Sequence, residues 1–199
     1  MDTKLYYQMA LLEQKHWWFL ARRSIIDHLL NKLNLPAHSK ILEAGCGTGG
    51  NLSLLSNYGH VYAMESNKIA RDYASKQGCA EIQAGFLPDD IPFQNQQFDL
   101  IVMLDVLEHL KDDSRSLNTL RTRLKPNGWL FVTVPALPFL WSEHDETHHH
   151  YRRYIKTELR KIVEDSGYKV IIANYFNTML LVKIQFGSSK QATNKYVKT

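Results

Sequence analysis

The chain has little cysteine: two residues in 199, Cys46 and Cys79. Cys46 sits inside a glycine-rich run, which argues against a structural disulfide and for a reducing cytoplasm. No apolar run approaches the ~20 residues needed to cross a bilayer. The first 20 residues carry Glu13 and scattered polar groups, so they do not read as a signal peptide. Acids are missing after Asp165, whereas Lys169, Lys183, Lys190, Lys195 and Lys198 follow it. The formal net charge of +4 therefore belongs to the carboxyl end, and the rest of the chain is close to neutral. That pattern excludes a broad nucleic-acid-binding face, though it leaves peripheral membrane contact by the basic tail open. Internal repeats are also missing.

What is present reads as an ordinary globule, 44% hydrophobic and 22% charged, long enough to bury one sizeable core. Apolar residues recur at helical spacing from about 3 to 33, with Pro36 closing that region. Strands are expected near 40–44, 60–65, 80–84, 98–104 and 128–134, with helices between them at 67–77 and 113–124 and a further one at 156–165. Alternation of strand and helix predicts an α/β fold, a parallel sheet with helices on both faces. Tyr168–Phe176 and Thr178–Phe186 read as two closing strands around Asn177. The expected division is a helical lid region over 1–36, a main domain over 37–186 and a loose basic tail over 187–199.

The densest signal is Ile41-Leu42-Glu43-Ala44-Gly45-Cys46-Gly47-Thr48-Gly49, a short apolar strand running into alternating glycines. Glycine reaches positive φ and lets a ligand approach the main chain. In an open α/β sheet such a loop lies at the carboxyl end of a strand, where ligands bind. Gly45-x-Gly47-x-x-Gly50 also satisfies the dinucleotide fingerprint, so the loop alone leaves the cofactor open. Glu65 ends the next strand, 20 residues after Gly45, where a carboxylate can accept both ribose hydroxyls of an adenosine.

Together, Leu42–Gly49, Glu65, Phe98-Asp99-Leu100-Ile101-Val102-Met103-Leu104-Asp105-Val106-Leu107-Glu108-His109-Leu110 and Arg123–Pro135 resemble the class I S-adenosylmethionine-dependent methyltransferases in order and spacing. The resemblance implies a Rossmann-like doubly wound sheet, mostly parallel, closed by an antiparallel C-terminal hairpin. It implies that Glu43 and the backbone of Ala44, Gly45, Cys46, Gly47 and Gly49 hold the amino acid part of the cofactor. Glu65 would hold the ribose, with Ser66 beside the adenine, and Leu104 and Asp105 would line the floor. Many members carry an acid that caps the adenine amine; here that place falls on Phe86 or Leu87, which leaves stacking and backbone groups, and Asp89 and Asp90 read as a turn.

Two segments lie outside this core. His16-Trp17-Trp18-Phe19-Leu20-Ala21-Arg22-Arg23 packs three aromatics that cannot share one helix face. Trp18 is expected to cover the site, since aromatic faces attract a cation such as the sulfonium; the alternative is that Trp17, Trp18 and Phe19 only pack the amino-terminal helix onto the sheet. Arg22 or Arg23 is expected to pair with the cofactor carboxylate, Arg22 being the one assigned to the site. The second segment, Trp141–Tyr154, holds four of the nine histidines. It resembles, with the His-Trp-Trp-Phe start, a bacterial subgroup linked to cell-surface glycan or lipid-linked sugar pathways. His144 and His150 are the base candidates. Arg152 and Arg153 offer forked donors for a phosphate or carboxylate, and Tyr154 and His109 are counted with them as acceptor contacts; the alternative is a polar surface loop, followed by the helix at 156–165, with the arginines in salt bridges. Asp105-x-x-Glu108-His109, joined by His144 and His148, is a possible divalent-metal cluster; some family members, those of ubiquinone synthesis among them, place an ion near a similar sequence. Because Val-Leu-Glu-His-Leu is also frequent in members without one, no metal is assigned and Glu108 and His109 are read as capping or orienting a helix.

The expected function is methyl transfer from S-adenosylmethionine to an oxygen or nitrogen of a small or carrier-linked acceptor. The alternatives are a non-catalytic scaffold on the same fold and a nicotinamide oxidoreductase. A nucleic-acid acceptor is disfavoured because Leu104-Asp105-Val106-Leu107 stands where an Asn-Pro-Pro-aromatic motif would be.

Overall fold

In the computed structural model, residues 3–176 are described. Residues Met1–Lys169 form one compact unit, and a second begins at Val170. The expected long helical region is two helices, α1 (Thr3–Lys15) and α2 (Trp17–Leu30). The break is at His16, which is extended and whose side chain accepts a hydrogen bond from the Trp18 amide, capping α2. A 3₁₀ turn, Asn31–Leu33, closes α2 and ends at Asn34 in the left-handed region.

Five strands follow: β1 (Ser39–Ala44), β2 (Gly59–Glu65), β3 (Glu81–Ala84), β4 (Phe98–Leu104) and β5 (Leu124–Thr133). They form one sheet in the order β3-β2-β1-β4-β5, every pair parallel. The order reverses between β1 and β4, which makes the carboxyl ends of those two strands the switch point. The connecting helices are α3 (Leu52–Leu55), α4 (Lys68–Ser75) and α5 (Asp113–Arg121). Beyond β5 come α6 (Glu143–Thr147) and α7 (Lys156–Asp165).

Strand alternation divides the core into two layers. On one face Ile41, Val61, Ala63, Leu100 and Val102 pack against Ile26 and Leu30 of α2, Leu52 and Leu55 of α3 and Ala74 of α4. On the other, Leu42, Tyr62, Met64, Ile101 and Met103 pack against Leu117 and Leu120 of α5 and Leu159, Ile162 and Val163 of α7. The near-continuous apolar runs of β1 and β4 follow from this burial on both sides. β5 starts earlier than expected: Phe98 pairs with Leu124 but Leu100 with Trp129, so Lys125–Gly128 bulges out within the strand. The expected closing hairpin is not formed in the described portion: residues 168–176 carry no strand, while Thr178–Phe186 and the 187–199 tail lie outside the described residues. Among the described residues no helix is long and apolar enough to cross a membrane.

Candidate functional site

The loop after β1 turns on three glycines in the left-handed region, with φ of 80° at Gly45, 55° at Gly47 and 91° at Gly49. The amides of Gly45 and Cys46 both donate to the Met64 carbonyl, at 2.9 and 3.0 Å, fastening the loop to β2. A Cβ at Gly45 would lie 2.7 Å from Val106 Cγ2, so the loops after β1 and β4 touch across the switch point. At Gly49 a Cβ would meet Leu52 and Ala74 at 2.9–3.1 Å, whereas at Gly47 it would meet nothing within 4 Å among the described residues. Gly47 is therefore the open side of the cradle.

Three carboxylates frame that cradle. Glu43 is 1% exposed; its Oε1 accepts from Asn51 Nδ2 at 3.3 Å, and its Oε2 has no hydrogen-bond partner among the described residues. Burial pushes the Glu43 carboxyl up to about 8, with Glu13 and Glu65 adding repulsion and Asn51 and Arg22 opposing. Glu65 accepts from the Gly47 amide at 3.0 Å through Oε2 and from the Asn67 amide at 2.8 Å through Oε1. Glu13 reaches over from α1 to accept from the Thr48 hydroxyl, close against Gly50, and burial raises its carboxyl too. Tyr6, also on α1, is raised by burial and by the Glu65 charge, so α1 lies along the loop and the end of β2.

The floor is built at the ends of β4 and β5. Asp105 is left-handed, φ 55°. Its amide donates to the Thr133 carbonyl at 3.0 Å, and its carboxylate receives Arg22 Nη1 at 2.8 Å and the Thr133 hydroxyl at 3.0 Å. Arg22, 9% exposed, also donates from Nη2 to Thr133 Oγ1 at 2.7 Å. Arg22, expected at the cofactor carboxylate, thus holds Asp105 instead.

The segment after β5 folds back on itself, with the Tyr154 amide donating to Pro135 O and the Leu137 amide to Tyr154 O at 3.1 and 3.0 Å. Inside it, fully buried Asp145 caps α6 and receives Arg153 through two hydrogen bonds of 2.8 Å and His150 Nδ1 at 2.9 Å. These donors hold the Asp145 carboxyl well below the ordinary range despite its burial. The Tyr151 amide donates to the Glu108 carbonyl at 2.8 Å, which fastens the segment to the 3₁₀ turn Leu107–His109 after β4. Four histidine rings gather there: His109 and His150 at 4.6 Å between centroids, His144 and His148 at 3.9 Å, and His148 and His150 at 6.0 Å. Burial, then repulsion from His150 and His148, brings His109 down to about 4. Burial also lowers His144. Glu108 lies among them fully buried, with neither carboxyl oxygen hydrogen-bonded among the described residues, and its carboxyl is pushed up by burial and by Asp105.

The structure brings Glu43, Ala44, Gly45, Cys46, Gly47, Gly49, Glu65, Leu104 and Asp105 to the switch point, as the chain order of the motifs implied. Ser66 is exposed beside Glu65, 3.3 Å from its Oε1. Phe86 is half exposed and its backbone pairs with Asp90, while Leu87 is drawn into the core. Trp18 is partly buried and its neighbour Trp17 is 59% exposed. Three of the residues expected to grip the acceptor have internal partners. Arg152 pairs with Asp113 at 2.7 Å, Arg153 with Asp145, and buried Tyr154 donates to Asp113 at 3.0 Å. Their charges and hydroxyl hold the histidine loop in place. Glu13, Thr133 and Asp145 were not singled out from sequence, because each acts through a partner 28 or more residues away or through a buried cap.

A family model described as a methyltransferase domain matches residues 16–172. An uncharacterized protein of Methanocaldococcus jannaschii is 29% identical over 149 residues, 75% of this chain, and the match spans only 63% of that relative's length. A ubiquinone biosynthesis O-methyltransferase of Coxiella burnetii is 23% identical, covering 78% of this chain and 77% of the relative. Among solved structures, a SAM-dependent methyltransferase of Aquifex aeolicus superposes with a TM-score of 0.63 at 21% identity, covering 85% of this chain and 90% of that one.

Proposed function

The chain belongs to the methyltransferase-domain family, and on that premise we propose that it moves the methyl group of S-adenosylmethionine to an oxygen or nitrogen of a small or carrier-linked acceptor. The observation that carries this reading is the orphaned, buried Oε2 of Glu43 beneath a three-glycine cradle, with Glu65 facing it from the next strand. A buried carboxyl oxygen without a donor is costly, and a ligand ammonium would supply one. The residues present fit the cofactor. Glu43 would take its amino group, the backbone of 44–49 its carboxylate, and Glu65 its ribose hydroxyls. Ser66, Phe86 and Leu87 would border the adenine, and Leu104 and Asp105, braced by Arg22, the methionine floor.

When bound, the cofactor supplies a methyl carbon on a sulfonium: the carbon–sulfur bond breaks with its electron pair going to sulfur as the bond to the acceptor atom forms. The chain's part is alignment, worth up to ~7–11 kcal/mol, and removal of the acceptor's proton. His150, its Nδ1 held by Asp145, and His144 at the rim are the groups for that proton. Exposed Phe139, Trp141 and Tyr151 on the same segment support an acceptor with a flat or apolar face, such as a sugar carried on a lipid. The ubiquinone-pathway relative, by its name, acts on oxygen, which supports a hydroxyl acceptor.

Calorimetry with S-adenosylmethionine and its demethylated product tests the reading. Binding of both is expected; no heat from either at millimolar ligand overturns it, and preferential binding of NADH overturns it in favour of redox chemistry.

A further inference from the structure

We propose that Glu108, His109 and His150 hold a divalent transition-metal ion at the acceptor side of the site. The inference rests on the methyl-transfer reading for its role, but the site itself stands on geometry. One ligand atom from each of the three lies within 4.8 Å of the others. Ligand bonds of about 2.0–2.2 Å put the donor atoms of one tetrahedral ion about 3.4 Å apart, so small side-chain rotations complete the set.

Two independent features point to a ligand there. Glu108 is fully buried, and neither of its oxygens has a hydrogen-bond partner among the described residues. Buried carboxylates are paired or coordinate metals. His150 donates from Nδ1 to Asp145 at 2.9 Å, which leaves Nε2 as the lone-pair nitrogen. A carboxylate fixing the far nitrogen of an imidazole is the usual support behind a metal-ligating histidine. Asp145 is in turn fixed by Arg153 and by the α6 cap, so the orientation of the His150 ring is set before any ion arrives.

The ligand set differs from the one read along the chain. Asp105 is committed to Arg22 and Thr133. Its place is taken by His150, 42 residues after Glu108, delivered by the loop that the Tyr151-to-Glu108 hydrogen bond fastens down. Two imidazoles and one carboxylate favour zinc-like or iron-like ions over magnesium or calcium, which prefer oxygen. Three protein ligands leave a coordination position open. An acceptor hydroxyl reaching that position becomes more acidic. It gives its proton to His144, the histidine at the rim, and the oxygen's electron pair then takes the methyl carbon. His150 acts as a ligand in this scheme, which narrows the base to His144.

The test uses full-length protein stripped with a chelator, titrated with Zn²⁺ and Mg²⁺ by calorimetry and with Co²⁺ by visible absorption. One saturable Zn²⁺ per chain is expected, tighter than Mg²⁺, with cobalt ligand-field bands. Glu108→Gln and His150→Ala lower Zn²⁺ affinity at least about 10-fold, and Asp145→Asn about 10- to 100-fold. His60→Gln, on the opposite side of the sheet order and paired with Glu81, leaves it unchanged. Equal Zn²⁺ affinity in wild type, Glu108→Gln and His150→Ala overturns the proposal, as does wild-type protein without saturable Zn²⁺ or Co²⁺ binding. Binding of S-adenosylhomocysteine is measured on the same samples. It shows that the variants are folded and separates the two readings: cofactor binding without metal sinks the metal site alone, and metal binding without cofactor sinks the methyl-transfer reading alone.

Discussion

Replacing Gly47 and, separately, Gly49 by alanine divides the ligand side of the loop from its packing side. Both glycines are left-handed, at φ 55° and 91°. Either substitution therefore incurs about 1–2 kcal/mol of backbone strain. They differ in what the new methyl meets. At Gly49 it lies 2.9 Å from Leu52 Cδ1 and 3.0 Å from the Ala74 backbone. That contact adds about 1–3 kcal/mol of overpacking, for about 2–5 kcal/mol in all. At Gly47 it meets no atom of the described residues within 4 Å, so the stability cost stays at the strain alone. For a chain of this size each kcal/mol lowers Tm by about 2–4 °C. Gly47→Ala should then lose about 2–8 °C and Gly49→Ala about 4–20 °C in thermal unfolding without ligand. Affinity for S-adenosylhomocysteine, by calorimetry below both transitions, should show a different division. The Gly47 methyl projects into the cradle and should weaken binding at least ~10-fold, or about 1.4 kcal/mol. A Gly47→Ala protein that binds as wild type does, or a Gly49→Ala protein no less stable than Gly47→Ala, refutes the assignment of the open side.

Glu43→Gln should raise stability toward neutral pH while weakening cofactor binding. The folded carboxyl sits at about 8, above its unfolded value, so its stabilising protonation is fully present below the unfolded value and is lost as pH rises to about 8. The variant's advantage in unfolding free energy, from urea titrations, should therefore grow between pH 5 and 8 (roughly the span between the two values), by an order of a few kcal/mol. By the same linkage, cofactor binding by wild type at pH 7 should release a proton, seen as a dependence of the binding heat on buffer ionisation enthalpy. Asp145→Asn leaves Arg153 and His150 without their buried partner and should cost about 3–5 kcal/mol in denaturant unfolding. Asp145 is held low, so its stabilisation is present above the unfolded carboxyl value and is lost only on acidification below it. Cys46, 5% exposed and with its thiol pushed up first by burial and then by Glu43 and Glu65, should alkylate far more slowly than a free thiol at pH 8, read by mass spectrometry.

Strands β1 and β4 were legible because burial on both faces writes itself as short apolar runs: Ile41–Leu42 and Leu100–Leu104 need no distant partner to be recognised. Helix α7 forms over the residues where a helix was expected, 156–165. The break at His16 was not legible, because it depends on one side chain turning back to cap the next helix. Nor was the early start of β5, where a bulge interrupts pairing with β4 that the local pattern cannot show. In the site, the glycines and Glu65 stood out by their spacing, whereas the role expected of Glu43 rested on the family resemblance. The partners of Arg22, Arg153 and Tyr154 were not legible for a common reason: a charged or hydroxylated side chain looks available until the fold brings its partner near.

The sequence by itself determined the α/β alternation, the glycine turn at the end of β1 and the acid at the end of β2, since backbone conformation and local periodicity are properties of neighbouring residues. Tertiary structure decided which strand ends became neighbours. By setting β4 beside β1 and fastening the segment after β5 across Glu108, it placed Arg22 on Asp105 and His150 beside Glu108 and His109. Buried charges take the partner that the sheet order brings within reach, and that distance is written nowhere along the chain.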